Sequence, residues 1–569
     1  MIWLAAVLVL MATVLIAILA VAGGFSGMRR AAGVSTAPRP LSVLSSAAAI
    51  CGEYVSAAAF LGFASLVFVY GFQAAWLVVA IGVGYLVLLA LVVAPLRRSG
   101  VYSLSDFAEW RLNAPLLRRV ISGCLMLIGW LYLLAQYSAA GRIVEWATEW
   151  PPWAGWLTLT VLVLGLVIGR FAAGAGAQAL GFCFKITAIA VPAVILAVLW
   201  QGAATPVPEA TPEALLHEAT SVHIRQDQHF RLTQATPVHV QGTIDGTTFS
   251  GEGQERCLRP GSHTVLASTH LSFDSGQAAF DAIDTSIPTA IASPGEHESV
   301  FGSSVASVYL AVALGIIGLP QLAARFHGIP DPKAARRTVL VAIALIAVFS
   351  VFPLIYAGLA RFHAGDLLLN GRVDLLLLDL PKRLSDGGLE LILTLLLVAG
   401  AVTAVITASV SLVRVLAAMI SQCMSCEAAH GFRLGALLAV TVPPGVLFLL
   451  PDLADVGLML TVLAAFRLSA VTVAPMVLLG IWWRGLTTAG AVAGIAVGMT
   501  GTAASGLLAA QEADWPAGAA VLVTHPTMLL APLVFATMVT VSLATRRRRP
   551  RGVGAKLARM HLPQDLVHG

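Results

Sequence analysis

The chain is 569 residues long, 58% hydrophobic and 11% charged, with a formal net charge of +5 and a mean hydropathy of +0.87. Soluble domains carry about 25% charged residues, so this balance excludes a soluble globular protein and makes the lipid bilayer the first partner. The positive excess reads as anchorage beside anionic lipid and implies no nucleic acid.

Apolar runs long enough to cross about 30 Å of hydrocarbon recur along almost the whole length, without the alternating segments of a barrel. The expectation is an all-α polytopic membrane protein with about 13 transmembrane helices, at about 2–23, 42–72, 74–96, 119–141, 153–169, 183–201, 301–324, 337–359, 388–421, 432–450, 456–482, 487–510 and 523–545. Span 1 lacks a small-residue cleavage site close behind its apolar core and is expected to persist as a helix. Arg29, Arg30 and Arg39 follow span 1; Arg97, Arg98, Arg111, Arg118 and Arg119 lie between spans 3 and 4; Lys333, Arg336 and Arg337 follow span 7; Arg546 to Arg549 follow span 13. All fall on one side, and basic loops are retained in the cytoplasm. That predicts a multi-pass protein of the cell membrane with the N-terminus outside and the C-terminus cytoplasmic.

The chain then divides into an N-terminal transmembrane helix and basic cytoplasmic loop (1–40), a first five-helix repeat (41–201), an extracytoplasmic polar insertion (202–300), a second five-helix repeat (301–482), two additional transmembrane helices (483–545) and a basic cytoplasmic tail (546–569). In the insertion, VHVQGTIDGTTFSG alternates around an Asp-Gly pair and predicts a hairpin. Seven of the 13 His fall there without tight ligand spacing, so a structured or solvated loop is expected before a metal site. Cys257 has no predicted partner outside, and Cys423-Met-Ser-Cys426 sits at the cytoplasmic end of span 9. There is no Walker loop, dinucleotide fingerprint or GxSxG elbow. A transporter built this way runs on an ion gradient, and no convergent nucleophile, metal cluster or acid/base pair suggests an enzyme.

Three ionisable residues lie well inside spans: Glu53 in span 2, Arg414 in span 9 and Arg467 in span 11. Each costs at least a few kcal/mol facing lipid, so each marks the interior. In span 9, Thr403, Thr407, Ser411 and Arg414 are spaced by four, four and three, which puts them on one helical face. Back-bonding to the preceding turn explains any single hydroxyl; four in register favour a pathway. Span 2 is long and interrupted by small residues around Ser56-Ala-Ala-Ala59, and span 7 contains Gly315-Ile-Ile-Gly-Leu-Pro320. Discontinuous helices at corresponding places of two halves point to a secondary transporter's site.

These stretches resemble the sodium/solute symporter family, and most closely its cation/acetate symporter branch, over about 41–202 and 304–501. The motifs are GEYVSAAAFLG, where the branch usually has Asp before Tyr; GVYSLSDFAEWRL after span 3; LYLLAQYSAAGR in span 4; and GLPQLAARF followed by DPKAARRTV after span 7. The resemblance implies an inverted-repeat core of five plus five helices and sodium-coupled symport of a small organic anion such as acetate or another short monocarboxylate, by alternating access. Na+ is then the coupling ion, with no organic cofactor. By resemblance, Gly52 and Val55 would offer carbonyls to sodium, Thr403 a carbonyl and Thr407 a hydroxyl, oxygen ligands suited to a hard cation. Ile406 stands where much of the family has a second hydroxyl. Arg414 and Arg467 replace small neutral residues, the acidic residue expected after span 9 is missing in Ser421-Gln-Cys-Met424, and GRFAAGAGAQALGFCFK has lost part of the usual pattern.

The same resemblance lines a substrate pocket with Ser56, Ala57, Gln136, Gly318 and Gln321, and Arg467 is expected to grip a carboxylate at two points. Glu53 falls beside the sodium position, where it would pair with Arg414 as an inward gate or stand in a solvated vestibule. Proton coupling, another solute, or a transporter-like sensor remain the alternative readings.

Overall fold

The structure, a computed structural model, describes residues 42–561 apart from 102, 170–174, 203–213, 216–219, 225–227, 233–235, 260, 267–268, 274–278, 284–297, 322–331, 369–372, 424–427, 510–522, 524–525 and 551. Span 1, its basic loop, Cys426 and the end of the tail lie outside the described residues.

Helix α1 (Val43–Tyr54) starts on Ser42, whose hydroxyl accepts from Ser45 N–H, and ends at Val55 with ψ 76°. The chain resumes as a π-helical turn, Ala58–Gly62, and helix α2 (Phe63–Tyr70), bent from α1 by 78°. The expected break of span 2 is therefore present. Neither Pro nor Gly stands at 55–57, so local sequence does not force it; tertiary partners hold it open. After α3 (Leu77–Val87), a π turn (Leu88–Val93) and α4 (Ala94–Ser99) come α5 (Leu104–Leu112), α6 (Pro115–Thr148), α7 (Pro152–Ile168) and α8 (Ala175–Gly202). Helix α8 starts eight residues before the expected span 6, which matters below.

The insertion adds strands to the helical fold. They are β1 (Ala214–Leu215), β2 (Thr220–Ile224), β3 (Gln228–Leu232), β4 (Thr236–Ile244), β5 (Thr247–Leu258), β6 (Gly261–Val265), β7 (Thr269–Phe273) and β8 (Ala279–Ile283), in the order β1-β8-β3-β6-β4-β7-β2 with β5 on β4. The hairpin turns at Asp245 (φ 49°) and Gly246 (φ 74°), the paired positive φ angles that Asp-Gly supplies at least cost.

The second half comprises α9 (Glu298–Gly315), a 3₁₀ turn at Ile316–Gly318 that ends on extended Leu319, α10 (Pro332–His363), α11 (Leu376–Leu384), α12 (Gly387–Cys423), α13 (Ala428–Leu449), α14 (Asp452–Asp455), α15 (Leu458–Val471) and α16 (Val473–Trp482). Span 11 is present as the apolar run Leu458–Trp482, with a turn at Thr472 between α15 and α16. The rest is α17 (Thr488–Ala509), α18 (Thr527–Ala544) and a short tail helix α19 (Val553–His561). Among the described residues nine helices are long and apolar enough to cross a membrane, the bent α1–α2 pair makes a tenth span, and Pro152–Ile168 and Ala306–Gly318 are shorter apolar helices. Helix α1 packs on α8 and α10, α12 on α8, α6 and α13, and α15 on α9 and α6. The α1 break lies at the centre of these contacts.

Candidate functional site: a broken helix around a buried lysine

At the break Val55 N–H still donates to Cys51 O (2.8 Å), but Ser56 N–H turns to Tyr54 O (2.8 Å) and Ala57 N–H leaves the helix for Gln136 Oε1 (3.1 Å). Tyr132, one turn from Gln136 on α6, donates to Ser56 Oγ (3.1 Å). One face of α6 therefore replaces the missing helical partners, as buried backbone in hydrocarbon requires. The carbonyls of Gly52 and Val55, which a continuous helix would have used, are released towards α8.

Both receive the same donor. Lys185 Nζ lies 2.6 Å from Gly52 O, 2.8 Å from Val55 O and 3.1 Å from Thr407 Oγ1, and the side chain is 0% exposed. Stripping an ammonium of water costs several kcal/mol. Here its three N–H donors meet three oxygens, and it caps the C-terminal, negative end of the α1 dipole. Gly52 makes the approach possible: a Cβ there would stand 2.3 Å from Gln178 O on α8. Gln178 Nε2 also donates to Thr407 O (3.0 Å), so α8 is fastened to α12 one turn after another.

The sodium ligands expected from resemblance therefore converge, but on a lysine. Gly52 O, Val55 O and Thr407 Oγ1 accept from Lys185, while the Thr403 carbonyl accepts from Thr407 Oγ1 (2.7 Å). A sodium ion among these oxygens would lie about 3 Å from the ammonium, and at an effective dielectric of about 20 the two charges repel by about 5–6 kcal/mol. The donor set as folded does not fit sodium.

Glu53 is 3% exposed, and its Oε1 accepts from Ser411 Oγ (2.7 Å). Ser411 stands one turn before Arg414, which is exposed. Of the expected pocket residues Ser56 lines a narrow, largely apolar cavity, together with Tyr54, Leu77, Ile81, Tyr132, Val312, Met459, Leu463 and Phe466. The others are placed differently. Ala57 and Gln136 are spent on each other. Gly318 packs where a Cβ would meet Ser469 Oγ at 2.3 Å, and Gln321 is buried off the cavity wall, its Oε1 without a hydrogen bond. Arg467 is half-buried one turn from Leu463 and has no hydrogen-bond or ion-pair partner among the described residues.

Two clamps missed in the sequence flank the cavity. On the side of the insertion, Arg142 (α6) pairs with Asp374 and donates to Ala454 O and Val456 O, while Asp374 Oδ2 also accepts from Leu458 N–H (3.1 Å) at the start of α15. On the opposite side Arg111 (α5) is 0% exposed and donates to Gly480 O (2.7 Å) and Trp483 O (3.0 Å); burial pulls its guanidinium down to about 10. The tail helix α19 covers this side, with Lys556 bonded to Trp110 O and Asn113 and Arg98 donating to Met560 O (3.3 Å). No group of three or more His, Cys, Asp or Glu is placed to hold a metal ion among the described residues.

Residues 35–203 match the model of the sodium:solute symporter family. The chain is 25% identical over 470 residues to a monocarboxylic acid transporter of Corynebacterium glutamicum, covering 79% of this chain and 74% of that one. It is 24% identical over 319 residues to the symporter YwcA of Bacillus subtilis, covering 56% and 48%. In structure it is similar to a Na+-coupled sialic acid symporter solved substrate-bound and outward-open, with TM-score 0.55, 9% identity, and 95% and 98% of the two chains covered. The last likeness shows the fold alone. The resemblance carried by the motifs is borne out, and these relatives are transporters, not enzymes.

Proposed function

We propose that the chain is a cation-coupled symporter that carries a short monocarboxylate into the cell through the cavity between α1, α6, α9 and α15. The observation that carries this reading is the break in α1: one three-residue stretch lines the cavity through Ser56 and presents the Val55 carbonyl to a buried cation. A solute bound at Ser56 and a charge bound at Val55 cannot shift independently, which is the coupling a symporter needs. The 25% identity to a monocarboxylic acid transporter supports the substrate class. Arg467 supports it as well, since a guanidinium one turn from Leu463 on the cavity wall, with no hydrogen-bond or ion-pair partner among the described residues, is suited to a carboxylate.

The similarity to the sodium:solute symporter family supports sodium as the driving ion. Coupling to protons is the second reading, favoured by the cation that the Gly52 and Val55 carbonyls already hold. Uptake of labelled acetate, propionate, pyruvate and lactate into proteoliposomes tests both, with inward sodium or choline and, separately, an inward proton gradient. Accumulation under either gradient supports symport and identifies its ion; no accumulation of any of the four by folded protein refutes the reading. Arg467→Lys should raise the half-saturating concentration about tenfold or more, consistent with loss of a two-point, charge-assisted contact. An unchanged value removes Arg467 from the site.

A further inference from the structure

We infer that Lys185 is a resident cation: its ammonium stands where the resembled family would place sodium, and this position binds no sodium in the native protein. The inference deepens the proposed function by stating which cation joins α1 to α8 and α12. Three observations carry it. The Nζ contacts of 2.6, 2.8 and 3.1 Å are those of an ammonium on oxygen acceptors. Each of the expected sodium ligands is already engaged, Thr403 O by Thr407 Oγ1. Finally, the side chain is fully buried at mid-helix, so no alternative solvent position competes for it.

The consequence is a difference in what the position can do. A free sodium ion arrives from one face of the membrane and leaves at the other, and with it goes the bond between α1 and α12. A tethered ammonium does not leave. While it is protonated, Lys185 holds the Gly52 and Val55 carbonyls to α8, and any sodium that drives transport binds elsewhere in the chain.

The test needs no transported solute, so it stands or falls apart from the proposed function. Thermal unfolding of purified full-length protein is followed in sodium and in choline, for wild type, Lys185→Ala and Thr407→Val, with labelled-sodium binding by equilibrium dialysis beside it. Lys185→Ala vacates the oxygen cage and is expected to gain one sodium and a midpoint several degrees higher in sodium than in choline, as mass action requires once sodium exceeds its dissociation constant by about a hundredfold. Wild type is expected to show no sodium effect that Thr407→Val removes. The inference is overturned if wild type binds a sodium that Thr407→Val abolishes, or if folded Lys185→Ala gains none. Should Lys185→Ala not fold, the wild-type and Thr407→Val pair alone decides: a Thr407-dependent sodium effect in wild type overturns the inference, and its absence sustains it.

Discussion

Replacing Asp374 by Ala should open the insertion side of the helical bundle. The carboxylate joins three elements: Arg142 from α6, the Val373–Leu375 turn that carries it, and the first N–H of α15. The pair is 17% and 6% exposed at Arg142 and Asp374. Removing one partner of a buried ion pair costs about 3–5 kcal/mol because the other charge is left behind. Arg142 keeps the Ala454 and Val456 carbonyls, so the lower end, about 3 kcal/mol, applies. With the clamp taken to hold α6 and α15 together only in the closed conformation, the whole penalty falls there and shifts the closed-to-open ratio by about a hundredfold. The assay is labelling of Leu463→Cys, on the cavity wall, by a membrane-impermeant maleimide in a background lacking the native cysteines. Labelling from the insertion side should rise towards that hundredfold in Asp374→Ala and stay near the parent rate in Asp374→Glu. An unchanged rate in folded Asp374→Ala, or a rise only from the opposite side, would refute the assignment of this clamp.

Three further outcomes follow from the same geometry. Gln136→Leu strands the Ala57 N–H in the break and should cost about 1–3 kcal/mol, read as a lower unfolding midpoint, whereas Gln136→Glu, which keeps an acceptor, should recover part of it. Gly52→Ala places a methyl 2.3 Å from a backbone oxygen of α8 and should destabilise by about 1–3 kcal/mol as an overpacked contact; an unaltered midpoint would mean that α1 and α8 part freely. Arg111→Met removes two buried charge-assisted bonds to Gly480 and Trp483, worth about 1.5–3 kcal/mol each, and should raise the protease sensitivity of the α16–α17 connection from the tail side.

Much of the architecture was legible because hydrocarbon imposes it. Apolar runs gave the helices, the small-residue stretch gave the place of the first break, and Asp-Gly gave the insertion's hairpin turn. Side-chain destinations were legible only where spacing fixed them. Thr403, Thr407 and Ser411 do share a face of α12, since a period of 3.6 leaves no choice, and Glu53 does find that face, at Ser411. Arg414, three residues further, is exposed, as a long side chain about two turns from a helix end can carry its charge to water. Gln136 and Gly318 were expected to meet a ligand, yet one replaces helical hydrogen bonds and the other admits a neighbouring helix. Composition does not distinguish a polar group that serves the backbone from one that serves a solute; the distinction requires knowing which N–H groups the break sets free.

Lys185 was hidden by a boundary. Starting span 6 at 183 leaves a lysine at position 185 near the membrane surface, where it needs no explanation. Starting α8 at Ala175 moves the same residue ten positions inside, where a cation must have partners. Those partners were already identified from the other side of the contact, as the carbonyls of Gly52 and Val55 and the hydroxyl of Thr407. Sodium was the expectation for that cluster of oxygens, and the electrostatics behind it are general: carbonyls released by a broken helix end carry the negative end of its dipole and attract a positive charge. Sequence alone left open whether that charge would be recruited from solution or supplied by the chain. The shift of eight residues in one helix start decides it, and it turns three expected ligands and one overlooked lysine into a single site.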